Sequence, residues 1–221
     1  MPVEPAFTVA TPRPLVSVRA GDRWAPVLRP VAARSAPRID ARPVGRLDTS
    51  TPERTANIVL VLGRVEDGGG RLWVRVRLPV LPNNTTGWVP RDAIGGYIEV
   101  DTHLVVDLER LTATLLEGRR PIFRARVGVG QARWPTPKGN FYIRNKLSGF
   151  GNAFYGPVAF GTSARSPVLT DWPAGGFIGI HGTNRPDLLP GRVSHGCIRL
   201  RNADILELAR LMPVGTPVTI R

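Results

Sequence analysis

The stretch IGIHGTNRPDLLPGRVSHGCIRLRNADI, residues 178–205, carries the only cysteine of the chain, Cys197, and two of its three histidines, His181 and His195. Its first residues, within GGFIGIHGT, read as a short apolar strand that ends at His181. Its last residues open RNADILELARLM, an amphipathic helix with Asn202 as the natural N-cap and Asp204 in the first turn. Ile205, Leu208, Ala209 and Met212 share one face of that helix, and Pro213 ends it. Strand, loop and helix in this order bring His181 and Cys197 to one edge of a sheet.

A thiol becomes a useful nucleophile when an imidazole within hydrogen-bond reach takes its proton and a third group orients that imidazole. Gly182 and Gly196 flank the pair. They allow close backbone approach, so the N–H groups of Gly196 and Cys197 are candidates for an oxyanion hole. Two other readings of these residues remain. A lone cysteine is often an inert core residue. Alternatively, His181, His195 and Cys197 offer three zinc ligands, although a closed structural zinc site wants four. His103, the remaining histidine, reads as structural or surface.

The residues around this stretch read as β structure. The chain has 221 residues, 24 glycines and 22 prolines, so turns are frequent and a helix bundle is disfavoured. From residue 98 the sequence runs as a meander, with alternation at Leu111, Ala113 and Leu115 and again at Phe123, Ala125, Val127 and Val129. The turn WPTPKGNFYI and a final strand TPVTI complete it. Ahead of it, residues 28–97 form a separate small β domain. There ANIVLVLGRV is a buried strand, and GGGRLWVRVRL alternates Leu72, Val74 and Val76 against Trp73, Arg75 and Arg77. Residues 1–27 are a proline-punctuated extension with no assigned structure.

Hydrophobic residues make up 42% and charged residues 21%, a globular balance. No stretch approaches the roughly 18 apolar residues of a membrane span. The first 20 residues lack the apolar segment of a signal peptide. A net charge of +13 reads either as an arginine-rich composition alone or as a surface for an anionic partner, of which an anionic cell-wall polymer is the first to test. The arginines are scattered and no nucleic-acid motif occurs, so nucleic acid is not expected.

The quoted stretch resembles the signature of L,D-transpeptidases with a YkuD-like catalytic domain: a histidine, a loop, then S-H-G-C. Residues 106–143 resemble the same domain, including its T-P-x-G-x-F turn at Thr136–Phe141. The resemblance covers residues 98–221. The run LWVRVRL…TTGWVPRDAI is similar to bacterial SH3-like domains. The fold implied is mainly β: an SH3-like small barrel, then a β-sandwich-like catalytic domain with one or two helices.

By the resemblance, Cys197 is the nucleophile, His181 the general base and the Gly182 carbonyl the orienting group. Arg199, His195, Ser194 and Tyr155 are the substrate-binding candidates, with Ser194 also bracing the loop and GFGNAFYGPVAFG (149–161) forming a wall or lid. No cofactor or metal is implied. The expected partners are peptidoglycan stem peptides, with carbapenem-type β-lactams as inhibitors. The expected location is outside the cytoplasmic membrane, in periplasm or cell wall. Hydrolysis of the same thioester (an L,D-carboxypeptidase) and wall binding by an inactive relative are the alternatives. The N-terminal domain carries no Cys or His, and is expected to position rather than catalyse.

Overall fold

The run IVLVL begins strand β4 (Ile58–Glu66), and it is apolar at every position because both faces of the strand are covered. Val59 and Val61 enter the core of an N-terminal sheet. Ile58 and Leu60, on the opposite face, pack with Tyr142 of the second sheet. One strand therefore serves two cores. The computed structural model describes residues 23–148, 153–169 and 176–221.

The N-terminal sheet adds β1 (Arg23–Pro26), β2 (Val31–Arg34), β3 (Pro43–Leu47), β5 (Leu72–Arg77), β6 (Thr86–Pro90) and β7 (Ile98–Glu99) to β4. The seven strands run in the order β3-β2-β6-β5-β4-β1-β7. This sheet overruns the span 28–97 at both ends, because β1 pairs with β4 on one side and with β7 on the other. Residues 1–22 of the N-terminal extension lie outside the described residues. The alternation expected in β5 is also broken. Trp73 is buried at 1% exposure while Leu72 is 39% exposed. Asp67, in the turn before the strand, accepts a hydrogen bond from the Trp73 indole at 2.8 Å and holds the ring under that turn.

The second sheet contains β8 (Thr102–Asp107), β9 (Thr112–Glu117), β10 (Arg120–Arg126), β11 (Gly128–Gly130) and β12 (Gly139–Ser148). It continues with β13 (Val158–Arg165), β14 (Phe177–His181), β15 (Gly191–Ser194), β16 (Ile198–Arg199) and β17 (Pro217–Ile220). The order is β10-β9-β8-β17-β12-β13-β14-β16-β11-β15. Strand β12 changes partners along its length: Gly139–Tyr142 pair with β17, and Ile143–Ser148 pair with β13. The sheet bends there, so the sandwich-like character comes from one curled sheet closing on its own core. Helix α1 (Asn202–Leu211) packs against both β10 and β13, which stand far apart in the strand order. Ile205, Leu208, Ala209 and Met212 enter the core.

Asn202 does not cap α1. Arg201 holds the cap position without a side-chain bond, and Asn202 is the first helical residue. Its Oδ1 accepts the Thr183 N–H at 2.9 Å instead. The side chain thus ties the helix start to the loop after His181, a tertiary contact that outcompetes the local cap.

Candidate active site

Strand β14 ends on His181, and β16 lies beside it in parallel register, Ile180 opposite Ile198 and His181 opposite Arg199. The His181 carbonyl accepts the Leu200 N–H at 2.9 Å and continues that ladder. Cys197 immediately precedes β16, so the ladder brings it beside β14. A point at the Cβ position of Gly179 lies 3.8 Å from both Cys197 Sγ and His181 Cδ2. The Gly179 N–H also faces the sulfur, at 3.4 Å.

His181 is 1% exposed. Its Nδ1 lies 2.6 Å from the Gly182 carbonyl oxygen. A carbonyl can only accept, so Nδ1 carries the proton and Nε2 keeps its lone pair. A side chain at Gly182 would collide with Asn202 Oδ1 and crowd Gly156 Cα. Glycine there lets the backbone turn back under the imidazole.

The loop before Cys197 is locked from within. Ser194 is fully buried; its Oγ accepts the Gly196 N–H at 3.1 Å and donates to the Cys197 carbonyl. Two expectations change as a result. Ser194 is a brace with no surface left for substrate, and the Gly196 N–H is already engaged rather than facing an oxyanion. Gly196 itself has φ +115°, a backbone conformation that favours glycine. Thr136, from the T-P-x-G turn, completes the lock. It is 4% exposed, accepts the Gly130 N–H at 2.9 Å and donates to the Gly196 carbonyl at 2.7 Å. The motif at 136–141 is visible in sequence, but its bond to the cysteine loop is not.

A cavity of about 130 Å³ opens over these groups, lined by His181, His195, Cys197 and Arg199 together with Phe154, Tyr155, Ser166, Leu169, Phe177 and Ile178. Tyr155 sits edge-on to the His181 ring, with centroids 5.0 Å apart. Its neighbour Phe154 lies under the Arg199 guanidinium at 4.6 Å. Arg199 is 8% exposed, and its Nε has no hydrogen-bond partner. His195 is exposed at the rim, its ring 4.1 Å from that of Trp134. Within 149–161, residues 149–152 lie outside the described residues. His103 stands elsewhere, on β8, with Nε2 2.8 Å from Thr219 Oγ1. It does not join His181, His195 and Cys197 as a fourth ligand.

Burial pulls the His181 imidazole from the ordinary 6.5 down to about 4, and Arg199 adds to the pull against the opposing Gly182 bond. Burial likewise pushes the Cys197 thiol up, opposed by the Gly179 N–H and by Arg199. Near neutral pH the resting pair is therefore a neutral imidazole beside a thiol, not an ion pair. The mostly apolar lining of the cavity disfavours a charge on either group at rest.

Phe154 falls within the expected wall 149–161, whereas Phe177 and Ile178 are pocket residues that the sequence does not single out. Nothing in the local sequence separates Phe177 and Ile178 from core aromatics and aliphatics.

Residues 101–220 match the L,D-transpeptidase catalytic domain family, YkuD. The chain is 36% identical over 118 residues to a Bacillus subtilis protein named L,D-transpeptidase YkuD, covering 53% of this chain and 65% of that protein. It is 37% identical over 115 residues to the ErfK/SrfK L,D-transpeptidase of Salmonella typhimurium, covering 42% of this chain and 35% of that one. The chain thus spans less than two thirds of the curated relatives it matches. The catalytic domain of the Enterococcus faecium L,D-transpeptidase, solved by NMR, is 27% identical, with 55% of this chain and 97% of that chain covered and a TM-score of 0.42. Matched over more than half of its length by the family's catalytic domain, the chain belongs to the YkuD family of L,D-transpeptidases.

Proposed function

We propose that the protein is an L,D-transpeptidase that joins peptidoglycan stem peptides through a thioester on Cys197. The observation that carries this reading is the Nδ1–H···O=C bond from His181 to Gly182, with Cys197 presented beside it by a parallel strand pair. That bond leaves Nε2 as a base on the pocket side of the chemistry.

In the proposed first half-reaction Cys197 Sγ attacks the donor carbonyl and its proton passes to His181 Nε2. The tetrahedral oxyanion is stabilised by the Cys197 N–H, the remaining candidate once Gly196 is engaged by Ser194. Collapse expels the terminal D-amino acid, whose nitrogen takes the proton from His181, and leaves the thioester. In the second half-reaction an acceptor amine attacks the thioester and gives its proton to His181. The departing thiolate then takes that proton back. Arg199 offers a guanidinium to a donor carboxylate, and Tyr155 and His195 border the substrate. Water in place of the amine makes the same intermediate a carboxypeptidase product.

The reaction belongs outside the cytoplasmic membrane, where such peptides are. The N-terminal sheet, with its SH3-like sequence run, would hold the catalytic half near the wall.

Intact-protein mass spectrometry tests the reading. A tetrapeptide donor or a carbapenem, whose strained lactam offers an equivalent carbonyl, is expected to add one acyl group to the wild type and none to Cys197→Ala. Product analysis with and without an acceptor amine separates transfer from hydrolysis. Arg199→Ala is expected to slow donors with a free carboxylate more than amidated ones. Adduct on Cys197→Ala sinks the nucleophile assignment.

A further inference from the structure

Phe177 opens β14 and lines the cavity beside Cys197. Two guanidinium groups lie over its ring: Arg144 Cζ at 3.8 Å from the centroid and Arg165 Cζ at 4.9 Å. Both arginines are tied to the N-terminal sheet. Arg144 on β12 is 2% exposed, and its Nη2 reaches Glu53 Oε2 at 3.4 Å. The same oxygen accepts from Asn145 Nδ2 at 3.1 Å. Arg165, the last residue of β13, is gripped through its backbone: its N–H donates to Asn83 Oδ1 at 2.9 Å, and its carbonyl accepts from Asn83 Nδ2 at 2.7 Å. Glu53 lies between β3 and β4, and Asn83 between β5 and β6.

The energetics favour a coupled unit. Arg144 is buried, and its Nε and Nη1 have no hydrogen-bond partner. The Glu53 carboxylate and the face of Phe177 are what offset its charge in a dry setting, where ion pairs and cation–π contacts are strongest. Without Glu53 the guanidinium must move toward water or press harder on the ring. Either response shifts the pocket wall. His181 and Cys197 are held by separate contacts, from Gly182, Ser194 and Thr136, none of which involves the N-terminal sheet.

We infer that the N-terminal sheet holds one wall of the acyl-donor pocket, with Glu53 and Asn83 acting as positioning residues that fix Phe177 through Arg144 and Arg165. The clamp sets how tightly the donor is bound rather than how fast Cys197 reacts. The inference rests on the reading of Cys197 as the acylated nucleophile.

The full chain carrying 4-fluorophenylalanine at position 177 reports the wall directly by its ¹⁹F resonance. Glu53→Gln and Asn83→Ala are compared with Arg46→Ala, on β3 of the same N-terminal sheet, whose side chain pairs with exposed Asp48. The resonance is expected to move in the first two variants and not in the third. Without the fluorine, the same two variants are expected to raise KM for a tetrapeptide donor roughly threefold to tenfold. Alkylation of Cys197 by iodoacetamide and kcat should stay within about twofold. An unmoved resonance, an unchanged KM, or an equal fall in kcat and in alkylation overturns the proposal. Should Glu53→Gln fail to fold, Asn83→Ala, which leaves the Glu53–Arg144 pair intact, carries the test alone. A wild type that alkylates normally but forms no thioester sinks the transpeptidase reading, while the resonance still decides the clamp.

Discussion

The N-terminal sheet and the catalytic half both bury aliphatic cores and both carry exposed ion pairs, but among the described residues only the catalytic half also buries ionisable side chains. Ion pairs of the first, Arg23–Glu99, Arg29–Asp92 and Arg46–Asp48, each keep at least one partner more than half exposed. The second takes His181, Arg144 and Arg199 out of water, each less than a tenth exposed. Exposed pairs contribute little because water already solvates them. Buried ionisable groups cost stability, and a fold retains that cost where the groups are used. The contrast separates a half built to be stable from a half built to react, with Glu53 as an N-terminal carboxylate that reaches a buried charge across the boundary.

Changes at the reacting end should break this contrast most sharply. Cys197→Ala is expected to abolish covalent labelling by a carbapenem altogether, read as the absence of a mass shift. Next comes His181→Gln, expected to slow acylation by roughly 10²- to 10⁴-fold, whereas His195→Gln should leave most of the rate. If the order of the two histidines is reversed, the wrong base has been assigned.

The same imidazole gives a pH signature. Its folded-state value of about 4 lies below the ordinary 6.5. Between these values the unfolded chain binds a proton that the folded chain refuses. Wild-type stability therefore falls as pH drops from 6.5 toward 4, by about 3 kcal/mol in all, and His181→Gln should lack that component. Urea denaturation at pH 7, 5.5 and 4.5 measures it; parallel curves for the two proteins would contradict burial as the cause. The neutral resting pair also predicts no thiolate absorbance near 240 nm at pH 7 in the difference between wild type and Cys197→Ala.

Smaller effects sharpen the boundary between the halves. Thr136→Val removes the hydroxyl that joins Gly130 to Gly196 and leaves two buried backbone groups unpaired. A loss of about 2–4 kcal/mol follows, along with slower acylation, and Thr136→Ser should restore both. Tyr142→Phe removes the bond from the buried phenol to the Ile58 carbonyl, 3.0 Å long. It should cost about 1 kcal/mol in urea denaturation with the acylation rate kept. Arg46→Ala, on an exposed pair, should shift neither the melting temperature nor the rate measurably.

Much of this arrangement is legible from residue order, for reasons that also mark where legibility stops. Alternation at Phe123, Ala125, Val127 and Val129 reveals buried positions because a strand's period is local. The convergence of His181 and Cys197 is legible because strand, loop and helix signals bracket them. Trp73 defeats the alternation because a turn residue, Asp67, covers the second face of its strand. Asn202 defeats the capping rule because Thr183 offers its side chain a better partner. The Gly196 N–H is lost to Ser194, two residues away, a choice that depends on loop conformation. Phe154 and Phe177 enter the pocket from segments more than twenty residues apart, a convergence that no local pattern announces.

The parallel pairing of β14 with β16 has a consequence for how this protein can change. Strand spacing of about 4.8 Å, rather than the length of the connecting chain, sets the distance between the histidine strand and the cysteine strand. Residues 184–188 within that connection are exposed. Lengthening a flexible connection is cheap, about 0.6 kcal/mol for each doubling. An insertion between Asn184 and Asp187 should thus leave the pair in register. This tip is where relatives can diverge in length, and where a tag or reporter peptide can be displayed, without moving the reacting atoms.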